Sequence, residues 1–239
     1  MIVTIHQPEH LPWLGFLDKV AKADLFVVLD TVQYRKDYFQ NRNKIRTAKD
    51  FVWITIPVNK FSFQTKICDI TIFQSKKMLT KYLRQIENNY QHAKYYYKYF
   101  DNLQDIITTG YKNLADLNYT LITFLLNCYH IKTKVVKASE INVLSGIGKK
   151  TQLNLDICKL TGAKSYLSGI SGKDYLNVQE FLDSGIDVVY QKFYHPVYNQ
   201  LHEPFLPCMS SIDLLFNYGE NASEILLGKN VKRLDYLIE

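Results

Sequence analysis

The segment that most constrains the fold is MIVTIHQPEHLPWLGFLDKVAKADLFVVLD, residues 1–30. It opens as a short apolar strand. Leu14, Leu17, Val20 and Ala21 then recur at helical spacing. DLFVVLD, residues 24–30, is a second strand, apolar almost throughout, as a strand covered on both faces should be. Strand, helix of about ten residues and buried strand make a βαβ unit. Parallel strands joined this way need a right-handed crossover, so the helix lies on one face of the sheet. The fold class that follows is α/β: a Rossmann-like, mostly parallel sheet with helices on both faces.

The rest of the chain extends this pattern. FVWITIPV (51–58) reads as a third strand and KICDITIF (66–73) as a fourth. Residues 75–130 change character and carry three stretches of helical periodicity, so a helical insertion or cap is expected there within a single domain, 1–239. TKVVKAS (133–139) resumes as a strand. KKTQLNLDICKLTGA (149–163) reads as a helix ended by Gly162, the residue type favoured just past a helix end. KSYLSG, NVQEFLDSG and IDVVYQKF then read as strand, helix and strand. SSIDLLFNYG reads as a helix capped by Ser210 or Ser211.

At 47% hydrophobic and 22% charged residues, the 239-residue chain suits a packed core rather than disorder. No apolar run approaches the roughly 18 residues of a membrane span. No basic leader precedes the first strand, so a cytoplasmic protein is expected. The four cysteines form no C-x-x-C pair, which argues against a zinc ribbon or a thioredoxin-type site. The net charge of +6 favours an anionic partner.

Open α/β sheets bind ligands beyond the carboxyl ends of their strands, where the strand order reverses. His6, Gln7 and His10 stand at or just past the first strand end, and histidine is the usual acid or base near neutral pH. Asp30 closes the second strand, followed by Gln33, Tyr34, Asn41, Arg42, Lys44 and Arg46, a set suited to phosphate or carboxylate. YLSGISGKDY, with Ser168, offers glycines for close backbone approach to an anion. Gln191, His195, Tyr198, Gln200, His202 and Glu203 crowd the segment after the last strand. His6 and His195 are expected to share one pocket. No histidine pair forms an H-E-x-x-H helix motif, so no metal is expected. Cys208, Ser168, Ser210 and Ser211 lack a nucleophile-elbow setting, so direct transfer is expected rather than covalent catalysis.

HQPEHLPWLGFLDKVAKADLFVVLDTVQY, QNRNKI, YLSG, GIDVVYQKFYHPVYNQ and SSIDLLFNYG together resemble the WbqC-like family over nearly the whole chain. The family usually has an aromatic residue before Leu-Pro-Trp, where this chain has His10. Its polar motif positions fall on His6, Gln7, Asp30, Gln33, Asn41, Arg42, Gln191, His195, Tyr198, Gln200, Asp213 and Asn217. The resemblance implies bacterial O-antigen or capsule biosynthesis and the transfer of an acyl group, such as glycyl, to a nucleotide-linked amino sugar. On that reading His6 or His195 takes the proton from the acceptor. Arg42 and Lys44 hold phosphate or carboxylate, while Asn41 and Gln33 orient sugar or carbonyl. The activated donor is acyl-coenzyme A, an aminoacyl-tRNA or a carrier-protein thioester. Two other readings stand beside it. His-x-x-x-His after a strand resembles the HUP class of nucleotidyltransferases and ligases, and clustered aromatics and amides also suit a non-catalytic sugar- or nucleotide-binding protein.

Overall fold

The computed structural model describes residues 1–141 and 150–236. The predicted start of the helix at Lys149 lies outside them. Five parallel strands form the central sheet: β1 (Ile2–His6), β2 (Leu25–Val28), β5 (Lys134–Lys137), β6 (Ser165–Ser168) and β7 (Asp187–Tyr190). Their order is β5-β2-β1-β6-β7, so the chain builds outward from β1 on one side and then on the other. The reversal lies between β1 and β6.

Alternation along β2 shows why helices must cover both faces. Phe26 and Val28 enter one core with α1 (Leu14–Ala21), α2 (Lys76–Tyr90), α3 (Tyr96–Thr108), α4 (Leu114–Cys128), α7 (Ile212–Tyr218) and α8 (Ala222–Leu227). Leu25 and Val27 enter the other, with residues of α5 (Lys150–Leu160) and α6 (Val178–Asp183). The period of two along a strand sends successive side chains to opposite sides. The three helices of the middle segment therefore share a core with α1 and α7. After α5 the chain turns at Gly162, whose φ of +67° is costly for any residue with a Cβ. Among the described residues no helix is long and apolar enough to cross a membrane.

Three expectations need correction. The polar run after Asp30 contains a strand not expected from the sequence: Arg42–Arg46 is β3, paired antiparallel with β4 (Phe51–Thr55) in a separate two-stranded sheet. Its polar residues hid an alternating pattern, with Asn43 and Ile45 buried and Arg42 and Lys44 partly exposed. KICDITIF is not a regular strand. Ile67–Asp69 forms a 3₁₀ turn, and spacing three apart lets Ile67 and Ile70 both bury against the larger core. Neither serine caps α7 through its side chain. Ser211 stands at the N-cap position without a capping bond, and Ser210 Oγ donates to the Leu11 carbonyl at 2.7 Å.

Candidate functional site

The register brings His6, Ser168 and Tyr190 to the same carboxyl edge, with His6 beside Val28 and Ser168 beside Tyr190. A cavity of about 310 Å³ opens there, at the size where small-ligand sites begin. His6 enters it from β1, and Glu9 and Trp13 from the loop that follows. Gly15, Phe16 and Lys19 belong to α1. Spacings of three and four residues put them on one helix face. Gly169, Ile170 and Ser171 follow β6, and Gln191 and Phe193 follow β7. Lys44 of β3, with Tyr38, Phe39 and Cys208, completes the wall. Gly15 is required by close approach, because a Cβ there would lie 2.2 Å from the Trp13 ring.

His6 Nδ1–H donates to the Gln7 carbonyl at 3.0 Å, which leaves the Nε2 lone pair without a protein partner among the described residues. The side chain is 34% exposed, and its ring meets Phe16 edge-on with centroids 5.2 Å apart. Burial and the nearby Lys19 charge hold His6 well below the ordinary histidine pKa, so it is neutral at pH 7. Lys19 is 3% exposed, and its side chain has neither a hydrogen bond nor an ion pair among the described residues. Burial lowers it to about 8, with the Glu9 charge opposing. Glu9 is 5% exposed, and its Oε2 is sealed without a partner. Its Oε1 stands 3.8 Å from His6 Nδ1. Burial raises Glu9 to about 7, with the Lys19 charge opposing.

Of the residues singled out from the sequence, His6, Lys44, Gln191 and Cys208 line this cavity. Gln191 Nε2 donates to the Gly15 carbonyl at 2.8 Å and to Asp18 Oδ2 at 2.7 Å, tying β7 to α1. Lys44 Nζ lies 5.0 Å from the Phe51 ring centroid and 5.9 Å from that of Trp53.

The others lie elsewhere. His195 does not line the cavity, so the expected pairing with His6 is corrected. It is 1% exposed, its Nδ1–H donates to the Pro196 carbonyl at 2.8 Å, and its Nε2 accepts from the Cys208 backbone at 3.2 Å. Arg42 stacks over Trp53 at 4.3 Å and pairs with Asp37 at 3.5 Å. Asp30 accepts from the backbone and hydroxyl of Ser139, at 2.9 and 2.6 Å. Gln7 accepts from Gln40, Gln33 donates to the Phe63 carbonyl, and Asn41 donates to the Ile56 carbonyl. Ser168 Oγ donates to the Gly169 carbonyl.

Tyr198, Gln200 and Asp213 form a separate buried group, joined by the half-buried Asn217. Asp213 accepts from Tyr90 at 2.8 Å, Tyr198 at 2.9 Å and Gln200 at 3.1 Å, and its carbonyl accepts from Asn217. His10 is fully buried between Asn118 and Tyr82, at 3.0 and 2.7 Å. With both nitrogens occupied, it offers nothing to a nucleotide. Among the described residues no three His, Cys, Asp or Glu side chains converge as a metal site.

A family model described as the WbqC-like protein family matches residues 7–225. The chain belongs to that family. It is 31% identical over 227 residues to the uncharacterized protein Rv1507c of Mycobacterium tuberculosis, covering 94% of this chain and 96% of that protein. No solved structure matches. The segment from His6 through Lys19 contains Glu9 and Lys19, which reasoning by residue type passed over. The signal was a lysine inside LGFLDKVA, an otherwise mostly apolar helix that is buried almost all round.

Proposed function

We propose that this protein is a cytoplasmic transferase of surface-polysaccharide biosynthesis, moving an acyl or aminoacyl group to the amine of a nucleotide-linked sugar. The observation that carries the reading is His6: neutral, oriented by its Nδ1–H bond, and open at Nε2 in a cavity at the sheet's reversal point. A neutral imidazole with one nitrogen fixed presents a free lone pair at the other. The acceptor amine loses its proton to Nε2 as its nitrogen attacks the donor carbonyl. The carbon–nitrogen bond forms as the carrier group leaves, and the imidazolium returns its proton to the leaving group. Glu9 lies close enough to offset the imidazolium charge. Lys44 faces an anionic portion of either substrate, while Trp13, Tyr38, Phe39 and Phe193 supply flat walls for a sugar ring.

Family membership and the basic net charge support this reading. The nucleotidyltransferase alternative loses support because His10 is committed to Asn118 and Tyr82. The test is a mass-spectrometric screen of the protein with nucleotide-linked amino sugars and acyl-coenzyme A, aminoacyl-tRNA or carrier-thioester donors. An amide product whose mass equals sugar plus acyl group supports the proposal. Saturable sugar binding with no product from any donor class would replace it with a binding protein.

A further inference from the structure

Two buried charges of opposite sign line the cavity without meeting. Lys19 and Glu9 do not approach within 4.0 Å, and neither has a hydrogen bond through its side chain among the described residues. Asp18, next to Lys19 in sequence, is already committed: its Oδ2 takes Lys22 at 2.7 Å and Gln191 at 2.7 Å. Glu9 has no such company. Desolvating a charge is costly unless a partner compensates it. Here both side chains line the cavity, their charges felt by each other but joined to no direct partner.

We infer that the cavity binds a zwitterionic small molecule, with its primary ammonium on Glu9 and its anionic group on Lys19. A ligand carrying a single charge would satisfy one of the two and leave the other stranded. The same chemistry occurs in an amino-sugar phosphate and in an α-amino acid. The inference rests on the cavity alone. In the transferase reading the bound ammonium becomes the acceptor beside His6 once it has given up one proton, or it is the amino group of the donor.

Glu9 stands 3.8 Å from His6 Nδ1, so an ammonium on Glu9 lies near the proposed base. The other titratable groups on the wall are Tyr38, Lys44 and Cys208. Lys44 adds a second positive charge to the wall. Gly169 lies beside the Lys19 ammonium: a Cβ there would stand 3.9 Å from its Nζ, an ordinary contact.

Calorimetry with matched probes tests the inference on the wild-type protein. Glucosamine 1-phosphate is compared with glucose 1-phosphate, and serine with glycerate. In each pair the amine is replaced by a hydroxyl. For one pair the zwitterion should bind at least about tenfold more tightly, the scale of a charge-assisted hydrogen bond. The pair that shows the gap names the source. Glu9→Gln should close the gap while leaving the amine-free probe unaffected, and Lys19→Met should weaken both members. Equal binding within both pairs overturns the inference, as does a gap that survives Glu9→Gln. Either failure leaves the transferase proposal to its own product screen.

Discussion

His195 Nε2 accepts the backbone N–H of Cys208 at 3.2 Å, and Cys208 lines the cavity that His195 itself does not reach. The histidine thus ties the segment after β7 to the chain just before α7. Burial lowers its pKa to about 4, so the neutral ring keeps one donor and one acceptor for these two backbone groups.

His195→Ala should therefore act on stability. It removes both hydrogen bonds and leaves a void among Phe193, Tyr198 and Phe205. A loss of about 2–4 kcal/mol is expected in urea unfolding, as for other buried truncations that strand polar groups. A variant of wild-type stability that has lost transfer would return His195 to the chemistry.

Asp213 should behave similarly. Asp213→Ala strands the donors of Tyr90, Tyr198 and Gln200. Together these should cost about 3 kcal/mol or more. Tyr90 also accepts the Arg46 backbone N–H at 3.0 Å, so the damage should reach β3. Hydrogen exchange would show this as faster opening of residues 42–46, and exchange unchanged there would argue against the link.

The parallel architecture was legible because β2 is apolar on both faces and α1 carries a clear helical period. Strand β3 was not, because Arg42 and Lys44 turn outward while Asn43 buries its amide on the His10 and Leu11 carbonyls. A polar residue satisfied inside looks the same in sequence as one in a loop. His6 was found because strand ends in this fold class collect function. His195 also follows a strand, yet its imidazole bonds the backbone of Pro196 and Cys208, which composition and spacing do not reveal. Glu9 and Lys19 were missed because their importance is a missing partner, and only the packed structure shows that.

Arg42 and Lys44 separate on the same grounds. Arg42 is engaged with Trp53 and Asp37, so Arg42→Lys should leave the affinity for glucose 1-phosphate within about twofold, as for surface changes remote from a ligand. Lys44→Met should weaken it about tenfold, since this cation lines the cavity. Calorimetry showing the opposite order would restore the anion role to Arg42.

The pH dependence of stability should report the unpaired charges. Glu9 is raised from 4.5 to about 7, so the folded state holds its proton more tightly than the unfolded state does. Its contribution is full below about pH 4.5 and is lost as pH rises through 7. Lys19 is lowered from 10.5 to about 8, so its contribution is lost as pH falls from 10.5 through 8. Both penalties are therefore present near pH 7–8. Glu9→Gln should stabilise the protein there by about 1–3 kcal/mol, with the gain vanishing in acid. Destabilisation near neutral pH would mean that Glu9 is already paired.

The central claim is that His6 Nε2 takes the proton in a transfer at the reversal point of the sheet. The most direct measurement compares single-turnover product formation by the wild type and His6→Asn, with acceptor affinity measured on both. A rate loss of about 100-fold or more, the usual share of a general base, with affinity held within a few-fold, is the result expected. Equal rates at equal affinity would show that His6 only shapes the loop, and the proposed chemistry would fall with it.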